Sequence, residues 1–172
     1  MFQSFLIFER INITMNSTIR NAKKSDLPEI LNLIKELAKF ENEPDAVEVD
    51  IKELEEGGFG PKALFTCFVA EVNGKIEGMA LVYFRYSTWK GRTVHLEDLI
   101  VREAMRGTGL GSALYKRVIE YAREQGVKRT EWVVLDWNTP AIDFYKRSGA
   151  NVLTDWYTVQ MDEKGMENFL EK

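Results

Sequence analysis

Three stretches gather the side chains whose types and spacing could do chemistry. In Arg106-Gly107-Thr108-Gly109-Leu110-Gly111-Ser112, an arginine precedes alternating glycines just where an apolar strand pattern gives way to a helical one. Gly inside a helix costs about 1 kcal/mol against Ala, so such a run needs a reason. Backbone N–H groups at a helix start lack internal partners and carry partial positive charge. Glycines let that backbone close on a phosphate, and an arginine adds a forked donor. The second stretch, His95-Leu96-Glu97-Asp98, sets two carboxylates in the middle of an apolar strand pattern, a costly place without partners. Alternation puts Glu97 and Asp98 on opposite faces, so both line one wall only if the strand bulges. His95, the chain's single histidine, would share the face of Glu97. The third stretch, 137–150, carries Asn138 in a turn and Tyr145 on a short helix.

The glycine spacing separates the phosphate binders. A P-loop requires G-x-x-x-x-G-K-[ST], which is absent from the chain. A dinucleotide fingerprint requires G-x-G-x-x-G/A, and Gly107 and Gly109 would put Ser112 in its last slot, a poor match. R-x-x-G-x-G/A is met by Arg106, Gly109 and Gly111. For the glycines taken alone, a plain N-terminal turn is the competing reading.

The surrounding pattern says which elements must position these groups. Strands are expected at 17–22, 63–72, 75–87, 93–101, 129–137 and 150–161, with Asn73-Gly74 as a hairpin turn. Helices are expected at 25–40 (Ser25 or Asp26 as cap, Pro28 in the first turn), at 50–60 (stopped by Gly57-Gly58), from Gly109 to about Gln125, and at 139–149. In the last of these, Thr139 is expected as the cap, which would leave the Asn138 side chain free. The order β-α-α-β-β-β-α-β-α-β is an α/β fold with an antiparallel first half and a crossover in the second.

At 172 residues and 45% apolar composition, the chain suits one domain with a sizeable core. A net charge of −4 argues against nucleic acid as the main partner. The apolar run Phe5–Phe8 is too short to span a membrane. Cys67, the lone cysteine, fits core packing, a reducing cytoplasmic setting and no zinc site. Residues 1–14, ahead of Met15, read as an extension outside the fold, with 15–172 as the domain.

Taken together, "LIKELAKFE", "GGFG", "HLEDLIV", "RGTGLGS" and "WNTPAIDFYKRSGA" resemble the GNAT superfamily of N-acetyltransferases, and within it the diamine (spermidine/spermine) type. The resemblance spans residues 17–155. It implies a central, mostly antiparallel sheet with a splayed parallel pair at the acetyl-CoA site, and acetyl-CoA as cosubstrate without a metal. It implies that Arg106 to Ser112 hold the pyrophosphate, that Leu99, Ile100 and Val101 pair with the pantetheine arm, and that Asn138 contacts CoA. A backbone N–H of that strand would face the acetyl oxygen. Tyr145 would be the general acid for the leaving sulfur, since a phenol with a pKa near ~10 suits a thiolate. Glu97 would bind the amine and assist its deprotonation. Phe40, Glu41, Trp89, Asp98 and Asp155 would complete the amine site. The mammalian enzymes have a longer acidic loop where "NVLTDWYT" holds only Asp155, so a small diamine, lysine or thialysine fits at least as well as a long polyamine. A homodimer is implied by the resemblance alone. A protein amine or an aminoglycoside as acceptor, or a non-catalytic acyl-CoA-binding module, remain the alternative readings.

Overall fold

The strands meet in one sheet of order β1-β2-β3-β4-β5, seen in a computed structural model that describes residues 16–171. The expected extension 1–14 lies outside the described residues. Two compact units divide the chain, one ending at Val133 and the other beginning at Val134.

The first unit carries the sheet. β1 (Ser17–Asn21), β2 (Phe65–Val72), β3 (Lys75–Ser87) and β4 (Gly91–Val101) are antiparallel neighbours, and β5 (Thr130–Glu131) runs parallel to β4. Asn73 and Gly74 both have positive φ, 50° and 80°, as a tight two-residue hairpin requires. α1 (Leu27–Phe40) and α2 (Ile51–Phe59) cover one face, where Leu27, Ile30, Leu33 and Leu54 pack with Cys67, Val69, Met79 and Ile100. Burial pushes the Cys67 thiol up to about 12, so it is inert packing. α3 (Leu110–Glu124) lies on the other face, with Tyr121 edge-on to Phe68 at 5.4 Å. Gly78 is where β3, β4 and α3 press together. A Cβ there would stand 2.8 Å from the Ile100 carbonyl oxygen and 3.2 Å from Leu114 Cδ1.

Four local expectations are corrected. Gly57 and Gly58 lie inside α2, which continues to Phe59, and they sit against the Phe65 ring, to which a Cβ on Gly58 would come within 2.6 Å. Those glycines serve packing, not termination. Asp26 holds the N-cap position of α1 but its carboxylate does not cap the helix; it accepts from Lys23 N at 2.7 Å and from Arg20. The strand expected over 129–137 is reduced to Thr130–Glu131, paired only with Val94 and His95. Beyond His95, β4 changes register against β3, and among the described residues no further β4–β5 pair follows.

The second unit contains α4 (Thr139–Arg147) and α5 (Glu163–Leu170). Here the fourth correction falls: residues 150–161 form no strand. A strand exists by its ladder, and no ladder partner for this segment occurs among the described residues. Tyr157 and Val159 are 92% and 89% exposed.

Candidate active site

The pairing of β3 with β4 decides where the acids go. Leu81 opposes Asp98, Val82 opposes Leu96, and Glu97 has no opposite residue. It is the extra residue of a bulge. Opposed residues share a face, so Met79, Leu81 and Tyr83 put Ile100, Asp98 and His95 on the face covered by α1. Without the bulge, His95 and Asp98 would point to opposite sides. Glu97 joins them: its Oε2 lies 3.6 Å from His95 Nε2. The bulge thus sets His95, Glu97 and Asp98 on one face, the condition under which both acids line one wall.

Each group is tuned by its setting. Burial, then the nearby charges of Glu97 and Glu41, push the Asp98 carboxyl up to about 6. Burial also raises Glu41, just past the end of α1. His95 is buried, which lowers its pKa despite the pull of Glu97. Arg85 Nη1 lies 3.3 Å from His95 Nδ1. A guanidinium only donates, so Nδ1 accepts and the ring proton sits on Nε2, toward Glu97. Tyr83, opposite His95, has its ring centroid 5.0 Å away. Burial, then the charge of Glu97 and a hydrogen bond to it, raise the Tyr83 phenol. Among the described residues no lysine or arginine pairs with Glu41, Glu97 or Asp98.

The glycine turn continues the same strand. β5 ends at Glu131, so the β4 edge over 96–101, which includes Leu99, Ile100 and Val101, has no strand beside it there among the described residues. After a short 3-10 turn, Glu103–Met105, Gly107 and Gly109 take φ of 76° and 93°, and Gly109 is the N-cap of α3 without a side-chain cap. Only glycine adopts this conformation at little cost. The Leu110, Gly111 and Ser112 N–H groups occupy the first turn of α3, where a helix offers no acceptors. The Leu110 side chain itself is buried and anchors the helix. Thr108 Oγ1 donates to the Met105 carbonyl at 2.7 Å, which braces the turn and occupies that proton. Arg106 is exposed, has no carboxylate partner among the described residues, and places its Cζ 5.0 Å from the Phe40 ring centroid. This donor set fits a pyrophosphate.

Other expected residues stand elsewhere. Trp89 is at the β3–β4 hairpin tip, 79% exposed. From Gly91 to Glu97 is six residues of strand, roughly 20 Å, so one chain does not bring Trp89 to its own acids. In the second unit, Asn138 rather than Thr139 caps α4, its Oδ1 accepting from Ala141 N at 3.3 Å. Thr139 Oγ1 instead lies 3.5 Å from the Trp137 carbonyl. Tyr145 is buried on α4 with its ring 5.5 Å from Phe144, and Asp155 is exposed. The sequence reading missed Tyr83 and Arg85. Their signal was the hairpin: its register carries Tyr83 to His95.

Comparison with known proteins bears on the chemistry. The pattern of the Acetyltransferase (GNAT) family matches residues 27–150. Thialysine N-epsilon-acetyltransferase of Bos taurus is 39% identical over 165 residues, covering 90% of this chain and 97% of that protein. Spermidine/spermine N(1)-acetyltransferase-like protein 1 of Homo sapiens is 41% identical over 139 residues, covering 77% of this chain but 20% of that longer protein. An aminoglycoside N-acetyltransferase solved in complex with CoA superposes with a TM-score of 0.70 at 18% identity, covering 87% of this chain and 97% of that one.

Proposed function

From the chain's membership of the GNAT acetyltransferase family, as an acetyl-CoA-dependent N-acetyltransferase, we propose that its acceptor is a small cationic amine of the thialysine, lysine or short-diamine kind. The observation that carries this reading is the bulge at Glu97, which gathers Glu97, Asp98 and His95 beside an open strand edge.

The bound cosubstrate supplies an activated acetyl thioester; the rest falls to the chain. Arg106 and the N–H groups from Gly107 to Ser112 hold the pyrophosphate. The open edge of Leu99, Ile100 and Val101 pairs with the pantetheine arm, and one of its N–H groups meets the acetyl oxygen. Asn138, with Oδ1 engaged in its cap, contacts CoA through its remaining amide donors. Glu97, Asp98 and Glu41 attract the substrate ammonium, and Phe40 forms part of the same wall. An alkylamine has a pKa near that of Lys, ~10.4, so it must lose a proton before it attacks. Glu97 accepts that proton, with His95 Nε2–H and the Tyr83 hydroxyl holding the carboxylate in place. Tyr145 protonates the leaving sulfur. The exposed Asp155 is the one acid of a short segment, which favours small amines over long polyamines. Trp89, far from the acids of its own chain, takes part from the second chain of a homodimer, a state carried by the resemblance. The cytoplasm is the proposed setting; among the described residues no helix is long and apolar enough to cross a membrane.

The test is CoA release from acetyl-CoA with putrescine, spermidine, spermine, lysine, thialysine and a lysine peptide, in wild type and Tyr145→Phe. Turnover on one of the small amines, cut at least a hundredfold in Tyr145→Phe, is the expected result. Turnover only on the peptide moves the acceptor to protein. No amine-dependent release alongside measurable acetyl-CoA binding overturns the catalytic reading.

A further inference from the structure

Arg102 has no part in the chemistry above, yet among the described residues no other cation pairs with three carboxylates. It follows β4 directly. Its Nη2 is bonded to Glu29, its Nη1 donates to Glu36 Oε1 at 2.9 Å, and its Nε lies 3.5 Å from Glu77 Oε2 and 3.3 Å from the Ile76 carbonyl oxygen. Its backbone N–H donates to the Glu77 carbonyl at 2.9 Å. Three carboxylates consume this charge, so Arg102 is not an anion ligand.

Its partners form a line on α1. Glu29 and Glu36 are two turns apart on one side of the helix, and Phe40 extends that side to the helix end. Arg106 lies over Phe40. α1 therefore grips the segment 102–106 at both ends. Past it, Gly107 and Gly109 have positive φ and no neighbour within 4 Å of an added Cβ, and the next fixed point is buried Leu110. Within the turn Thr108 bonds only back to Met105, inside the segment that α1 grips, so the turn's place is set at its flanks.

We infer that Arg102, seated on Glu29 and Glu36, is a positioning residue that aims the Arg106–Ser112 turn at the pyrophosphate of acetyl-CoA. The inference rests on the reading of that turn as the pyrophosphate site.

Two acetyl donors separate this role from a general structural one: acetyl-CoA, and S-acetylpantetheine, which carries no phosphate. In Arg102→Met the KM for acetyl-CoA rises at least tenfold, kcat changes less than threefold, and the KM for S-acetylpantetheine moves less than twofold. Glu29→Gln/Glu36→Gln shifts the acetyl-CoA KM in the same direction, threefold or more, and carries the test should Arg102→Met fold poorly. Arg102→Lys keeps the charge but not the fork and falls between. Arg106→Ala controls for the reading beneath. If it raises the acetyl-CoA KM selectively while Arg102→Met and the double variant do not, the turn binds pyrophosphate but the clamp is wrong. If Arg106→Ala leaves that KM within twofold, the pyrophosphate reading falls and the inference with it. Equal effects on both donors in Arg102→Met also overturn it, since they mark a purely structural role.

Discussion

The bulge at Glu97 and the turn at Gly107–Gly109 are two departures from regularity on one stretch of chain, built by opposite means. The bulge is made by side chains and by pairing: an unopposed residue puts two acids and a histidine on one face, where burial pushes Asp98 up to about 6. The turn is made of backbone: two glycines with positive φ and a helix start without a side-chain cap. The first region stores electrostatic cost where a cation would relieve it. The second stores little cost and offers N–H groups to an anion. One strand thus leads from a cluster of acids that would draw a cation to a turn whose N–H groups would take an anion, as the proposed transfer of an acetyl group from CoA to an amine requires.

Substitutions can break each region separately. Glu97→Gln should have the largest effect, lowering kcat/KM for the amine by roughly 10²–10³ if it removes the proton acceptor, while the acetyl-CoA KM stays within twofold. Gly109→Val should act the other way round. A β-branched residue at φ 93° is strained, and the acetyl-CoA KM should rise at least tenfold with less effect on the amine KM. Asp98→Asn sharpens the contrast through stability. The folded-state value of about 6 lies above the ordinary 3.8, so the folded protein holds this proton more tightly. The cost of charging Asp98 grows as pH rises from about 4 to about 6 and is fully present above that. Thermal and urea unfolding should find Asp98→Asn more stable than wild type at pH 8 by roughly 3 kcal/mol, a difference that closes toward pH 4. Gly111→Ala should matter least. Its φ is not positive and an added Cβ meets only Val101 Cγ2, at 3.8 Å. It should gain a few tenths of a kcal/mol to about 1 kcal/mol in stability with kinetics unchanged, against the damage at Gly109.

The same contrast explains what could be read from the chain. The turn was legible because glycine spacing and the onset of a helix are local signals, and the helices declared themselves by apolar spacing and Pro28. The bulge followed only as a condition on Glu97 and Asp98. Its location depends on what opposes each residue, which a single strand does not state. Tyr83, Arg85 and Arg102 were missed for the same reason: their roles come from partners on other elements. Gly57-Gly58 read as a helix stop because a local rule cannot see the Phe65 ring above them. Asn138 and Thr139 are both good caps in adjacent positions, and backbone geometry chose Asn138. The apolar alternation of 150–161 resembles a strand, yet a strand also needs a ladder.

The most direct test of the account is kcat/KM for thialysine from pH 5 to 8 in wild type and Asp98→Asn. If the bulge joins Asp98 and Glu97 in one amine site, wild type loses activity below about pH 6 as the Asp98 carboxylate takes up a proton. Asp98→Asn should lose this limb and keep only the slope set by the amine. Superimposable profiles would contradict the claim, since they would mean that the buried acid beside Glu97 has no part in receiving the amine.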